Sequence, residues 1–127
     1  MKKKLKKVKE FHRAFNIPYN EIPTVEISEQ RKELRYELMK EENEEYLEAV
    51  KSGSLIDTAD ALGDMLYILC GTILEHGMQY KIDEVFNEIH RSNMSKLENG
   101  KPIYREDGKV LKGSNYFKPN LTKILQN

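Results

Sequence analysis

Glu41, Glu42 and Glu45, followed some fifteen residues later by Asp60 and Asp64, are the side chains of this sequence best suited to do chemistry. With Leu34 as zero and about 100° per residue, Leu38 falls near 40°, Glu41 near 340°, Glu45 near 20° and Glu42 near 80°. The three glutamates therefore continue a stripe that begins with leucines. On the next helix, with Asp57 at zero, Asp60 sits at roughly 300° and Asp64 at roughly 340°. Asp64 is preceded by Ala-Leu-Gly and followed by Met-Leu-Tyr-Ile-Leu, apolar surroundings for an aspartate. Carboxylates that converge in a partly dry site repel one another and lose hydration. Raised pKa values or a bound divalent cation relieve that cost. Magnesium suits such a site, because it takes hard oxygen ligands, keeps several waters and needs only a few carboxylates beside substrate phosphates. The alternative is a solvated acidic face paired with Lys32, Arg35 and Lys40 at helical spacing.

The elements that must position these acids follow from periodicity and caps. Leu5, Val8, Phe11, His12 and Phe15 recur at helical spacing, which predicts a helix over 3–16. Pro18 and Pro23 bracket a loop. Ser28 is an N-cap for a long helix to about Lys51, ended by Ser52-Gly53. On its other side Tyr36, Met39, Tyr46, Leu47 and Val50 form a second apolar arc, so burial on two sides is expected. Ser54 caps a third helix that stops at Gly77. A fourth covers 81–97, with Val85, Phe86, Ile89 and Leu97 facing inward. Glu106-Asp107-Gly108 centres a small hairpin or ordered loop over 101–112, and a short helix fits 121–125. The expectation is an all-α, four-helix-bundle-like fold. It forms one domain over 1–127, with core helices at about 28–98 and a basic tail at about 99–127.

Composition agrees with a single globular domain of 127 residues with no net charge, which by itself points to neither nucleic acid nor membrane. The distribution says more. Residues 26–48 hold nine glutamates against four bases, and the segment from Lys96 onward holds seven bases against three acids, an arrangement suited to a metal site facing an anion site. Cys70 is the only cysteine, so no intrachain disulfide forms, and a cytoplasmic location with a buried thiol is expected. The lysine-rich start is followed by Glu10, His12 and Arg13 where a signal peptide needs apolar residues, so export is not expected. The run Met65–Leu74 is about half a membrane span.

Glu41-Glu42-Asn43-Glu44-Glu45, then Asp60-Ala61-Leu62-Gly63-Asp64-Met65-Leu66-Tyr67, resembles the MazG-type all-α nucleoside triphosphate pyrophosphatases, a superfamily that includes phosphoribosyl-ATP pyrophosphohydrolases and dimeric dUTPases. The family's pattern is Glu-x-x-Glu, a spacer, then Glu-x-x-Asp. Glu42 and Glu45 match its first half and Asp64 its last acid. The third acid is replaced by Ala61, with Asp60 one residue earlier. Asn93-Met94-Ser95-Lys96 is similar to an Asn-x-x-Lys on the last helix of the dimeric relatives. Asp107–Gly113, with Tyr116 and Pro119, is similar to a tail in one branch.

The resemblance implies cleavage between the α and β phosphates of a nucleoside triphosphate, giving a nucleoside monophosphate and pyrophosphate, with nucleotide-pool housecleaning as a role. It implies that Glu42, Glu45, Asp60 and Asp64 hold Mg²⁺, or Mn²⁺ in its place, with Glu41 a further ligand or the group that orients water. It implies that Asn93, Lys96, Lys109, Lys112 and Tyr116 bind the substrate, with Arg31 a weaker phosphate candidate. A homodimer or homotetramer, with sites near a subunit interface, is the implied assembly. The alternatives are a phosphoribosyl-ATP pyrophosphohydrolase and a non-catalytic nucleotide-binding or interaction module of the same fold, which the alanine at 61 favours.

Overall fold

The computed structural model describes residues 1–126, and every regular element in it is a helix. Four are long: α1 (Lys2–Ala14), α2 (Glu29–Ser52), α3 (Leu55–Glu75) and α4 (Ile82–Met94); α5 (Thr122–Leu125) is a single turn. The all-α class expected from periodicity is the one observed. No helix is long and apolar enough to cross a membrane. The chain forms two compact units, one over Met1–Tyr80 and one from Lys81 onward.

In the first unit, α2 and α3 form a helical hairpin and α1 lies against α3. The caps are those the sequence signals. Ser28 accepts from the Arg31 amide, Ser54 accepts from the Asp57 amide, and Gly53 ends α2 in the left-handed region. Leu5, Val8, Ala49, Ala61, Cys70, Ile73 and Leu74 are the buried apolar residues. The loop between α1 and α2 has a job that periodicity could not reveal, for it caps the C-terminal end of α3. The Asn20 amide donates to the Leu74 carbonyl at 3.0 Å, its side chain donates to the Glu75 carbonyl at 2.7 Å, and the Thr24 amide donates to the His76 carbonyl at 2.9 Å. Those carbonyls are the ones a helix end leaves unpaired. Gly77, at φ 67°, passes so close to the Ile22 carbonyl that no β-carbon fits.

The second unit is α4 with the tail tied to it. Ser92 Oγ donates to the Phe117 carbonyl at 2.8 Å, Ser95 Oγ accepts from the Phe117 amide at 3.1 Å, and Glu88 accepts from the Asn120 amide at 2.6 Å. The loop over 101–112 is ordered but nearly strandless, with isolated bridges joining Glu98 to Lys101 and Tyr104 to Val110. Asp107 closes its turn by accepting from the Lys109 amide.

Three expectations need correction. First, α4 ends at Met94 rather than 97; there the Ser95 hydroxyl donates to the Ser92 carbonyl and accepts from the Phe117 amide as the chain turns. Second, Phe86 is 68% exposed and Ile89 is also exposed, since the buried position of that helix is Ser92. Third, the second apolar arc of α2 is covered only in part: Met39 and Tyr46 are half-buried, while Tyr36, Leu47 and Val50 stay exposed.

Candidate metal centre

The α2–α3 hairpin brings Glu42, Glu45 and Asp64 together, with one carboxylate oxygen from each lying within 4.8 Å of the others. Glu42 and Glu45 are three residues apart on α2 and so share a face, and Asp64 meets them from the middle of α3. Glu42 and Asp64 are half-buried and Glu45 is exposed. One oxygen of Glu42, Oε2, is buried without a hydrogen-bond partner. Such an orphan calls for an explanation, and a cation at that oxygen supplies one.

The electrostatics point the same way. Loss of hydration, then a carboxyl–carboxylate hydrogen bond with Glu45, then the charges of Glu45, Asp64 and Asp60, push the Glu42 carboxyl above the usual carboxylate range. Asp64 is pushed up by loss of hydration and by Asp60 and Glu45. Among the described residues, no lysine, arginine or histidine forms an ion pair with Glu41, Glu42, Glu45, Asp60 or Asp64. The bases that a solvated face would have used are elsewhere. Lys32 pairs with Glu29, and Arg35 points into the core. Hard, unneutralised oxygens of this kind are the donors a divalent cation takes.

The remaining acids stand around this trio. Asp60 lies one turn before Asp64, is felt electrostatically by Glu42 and Asp64, and lines an open cleft with Glu45, Glu48, Ser52 and Asp57. Glu41 is exposed and outside the trio. Ala61, where the motif's third acid would stand, is buried at 3% exposure. It lines the same open cleft as Glu45 and Asp60.

The substrate candidates of the second unit are described within that unit. Asn93, Lys109 and Lys112 are exposed, while Lys96 and Tyr116 are half-buried. The Lys112 ammonium lies over the Tyr116 ring, 4.8 Å from its centre. Arg31 is not a free phosphate ligand. Its Nε and Nη2 donate to the two carboxylate oxygens of Glu75 at 2.8 and 2.6 Å. Sequence reasoning missed that partner, because an acid at the end of an apolar helix gives no sign of which base will reach it.

Comparison with known proteins adds one finding. A family model described as phosphoribosyl-ATP pyrophosphohydrolase matches residues 8–93. No curated protein matches the chain. The matched span holds the second half of α1, all of α2 and α3, the acidic trio and nearly all of α4, and stops before the basic tail.

Proposed function

Since the chain belongs to the phosphoribosyl-ATP pyrophosphohydrolase family, we propose that it is a magnesium-dependent pyrophosphohydrolase acting on a nucleoside or deoxynucleoside triphosphate. It cleaves between the α and β phosphates to release a nucleoside monophosphate and pyrophosphate. Family membership itself gives the coarser activity, a pyrophosphohydrolase with a nucleotide-like substrate. The observation that carries the finer reading is the convergence of Glu42, Glu45 and Asp64 around a buried, unpaired carboxylate oxygen.

Glu42, Glu45 and Asp64 would hold Mg²⁺ or Mn²⁺, with Asp60 as a further ligand. A divalent ion there supplies charge neutralisation at the phosphates and a lowered pKa for bound water. Glu41 orients the attacking water. Lys96, Lys109 and Lys112 bind the phosphates, and Asn93 and Tyr116 donate hydrogen bonds to them. The assembly is a homodimer or homotetramer, and the compartment is the cytoplasm.

The test is a panel of canonical and damaged nucleoside triphosphates incubated with protein and Mg²⁺, with pyrophosphate and orthophosphate measured separately. Pyrophosphate and the monophosphate are expected in equal amounts. Orthophosphate as the sole product would reject cleavage at the α–β bond. A second reading, hydrolysis of phosphoribosyl-ATP, is favoured by the description of the matching family and shares the same chemistry. Including that substrate in the panel separates the two. Ala61 favours a third, a nucleotide-binding module without turnover, which predicts Mg²⁺-dependent nucleotide binding with no product.

A further inference from the structure

One acid of the second unit, Glu98, is directed at backbone and hydroxyl rather than at a base. It stands at the start of a tight turn in which Asn99 (φ 50°) and Gly100 (φ 75°) both take the left-handed region, as a two-residue type I′ turn requires. The Glu98 amide donates to the Lys101 carbonyl at 2.8 Å, and the Lys101 amide returns the bond at 2.9 Å. That turn sends the chain out through the 101–112 loop, and the Glu98 side chain receives it on its return. Its Oε1 accepts from the Ser114 hydroxyl at 2.8 Å and its Oε2 from the Ser114 amide at 2.5 Å. Beside it the Gly113 amide donates to the Lys96 carbonyl at 2.9 Å. The approach is close: a β-carbon on Gly113 would stand 2.8 Å from both Glu98 Oε2 and the Lys96 carbonyl oxygen.

This clasp has two consequences. Lys96 and Lys112, far apart in sequence, are held at the two ends of one closed loop, and Tyr116 follows with the Lys112 ammonium over its ring. The lysines also stay unneutralised. Among the described residues no acid forms an ion pair with Lys96, Lys101, Lys109, Lys112 or Lys118. The two Ser114 donors hold the Glu98 carboxyl below the usual carboxylate range, so it stays a charged acceptor for them.

We propose that Glu98 is a positioning residue, which clasps the tail into an anion cradle presenting Lys96, Lys112 and Tyr116 together to a polyphosphate. The inference rests on the reading that the tail binds the substrate's phosphates. Without the clasp the same side chains hang on a loop that each ligand must order anew, and that ordering weakens binding. The sign of the effect separates positioning from charge. As a mere negative neighbour of lysines, Glu98 would repel a polyphosphate, and its removal would tighten binding. As a clasp, its removal loosens binding.

Calorimetry of the whole chain with inorganic tripolyphosphate and Mg²⁺ reads the cradle without a base and without turnover. Glu98→Ala should weaken binding about 10-fold, the effect of re-ordering a few side chains. Glu98→Gln, which still accepts from the Ser114 amide, should stay within about 3-fold of the wild type. On any triphosphate that the protein hydrolyses, Glu98→Ala should raise KM by a similar factor and leave kcat nearly unchanged. Should Glu98→Ala lose its helical circular dichroism, Ser114→Ala, which removes one bond of the clasp, should show a loss of about 3-fold. Lys112→Ala tests the underlying reading. If it binds tripolyphosphate as tightly as the wild type, or the wild type binds none, the phosphate role of the tail and the inference fall together. If Lys112→Ala weakens binding while Glu98→Ala leaves it unchanged or tightens it, the inference alone falls. It falls also if Glu98→Gln binds no better than Glu98→Ala.

Discussion

The same two helices carry two charged clusters of opposite character. Midway along the hairpin, Glu42, Glu45 and Asp64 face one another with no base among them. Toward the C-terminal end of α3, Glu75 is only 2% exposed and fully answered. Arg31 clasps it with two hydrogen bonds and Arg35 Nη1 stands 3.1 Å from it. Arg35 then donates to the Thr72 hydroxyl and the Ile68 carbonyl. Gly71 makes this possible, because a β-carbon there would collide with the Arg35 guanidinium. In the buried cluster each arginine has the Glu75 carboxylate as a partner, and the cluster belongs to the architecture. The half-open one is unmatched, and its repulsion is a reason to bind something. Burial without partners, rather than charge density, separates a site from a scaffold.

The largest expected effect breaks the scaffold side. Glu75→Ala leaves two arginines facing each other at a buried position, and removing one member of such a cluster costs about 3–5 kcal/mol. Chemical denaturation measures it. A loss below about 1 kcal/mol would mean that water replaces the carboxylate and that the cluster is not structural.

Next, the same kind of change on the site side should do the reverse. Glu45→Gln or Asp64→Asn should cut pyrophosphate release by about 100-fold or more. Metal-free stability should hold, or the melting temperature rise by about 2–4 °C as repulsion is relieved. The folded state raises the pKa values of Glu42 and Asp64, so their contribution to stability is present below the unfolded carboxylate pKa. It is lost as pH rises through the folded values, and Mg²⁺ should restore it. Thermal melts with and without Mg²⁺ at pH 5 and pH 7 read both effects. A stability loss like that of Glu75→Ala would make the trio structural after all.

The smallest effect sharpens the comparison at the edge of the scaffold. His12 is buried beside Arg35, Arg31 and Glu75, and loss of hydration lowers its pKa below 6.5 despite the Pro18 carbonyl near its Nδ1. The unfolded chain therefore takes up this proton first. His12's contribution to stability is complete above pH 6.5 and is lost as pH falls toward its folded pKa. The slope is at most about 1.4 kcal/mol per pH unit. Denaturation between pH 8 and pH 5 should show the slope in the wild type and not in His12→Gln. Equal slopes would place the titration elsewhere.

Much of this was legible in the sequence because it is local. Ser28, Gly53, Ser54 and Gly77 set the helix boundaries through caps, and helical spacing put Glu42, Glu45 and Asp64 on inward faces. Arg35 misled for the same reason: on a helical wheel it reads as an exposed base, with nothing to show that it closes on Glu75. The tail's anchors, Ser92, Ser95 and Glu88, were illegible too, since their partners are backbone groups more than twenty residues away.

By itself, then, the sequence determined an all-α chain and a carboxylate cluster on two successive helices, because periodicity and caps act within a few turns. Tertiary structure decided which acids form the cluster and which base pairs with Glu75. It also decided that Ala61 is buried while Leu55, Leu62 and Leu69 of the same helix stay exposed. Those outcomes depend on how helices meet, and a helix carries its own period but not the identity of its neighbour.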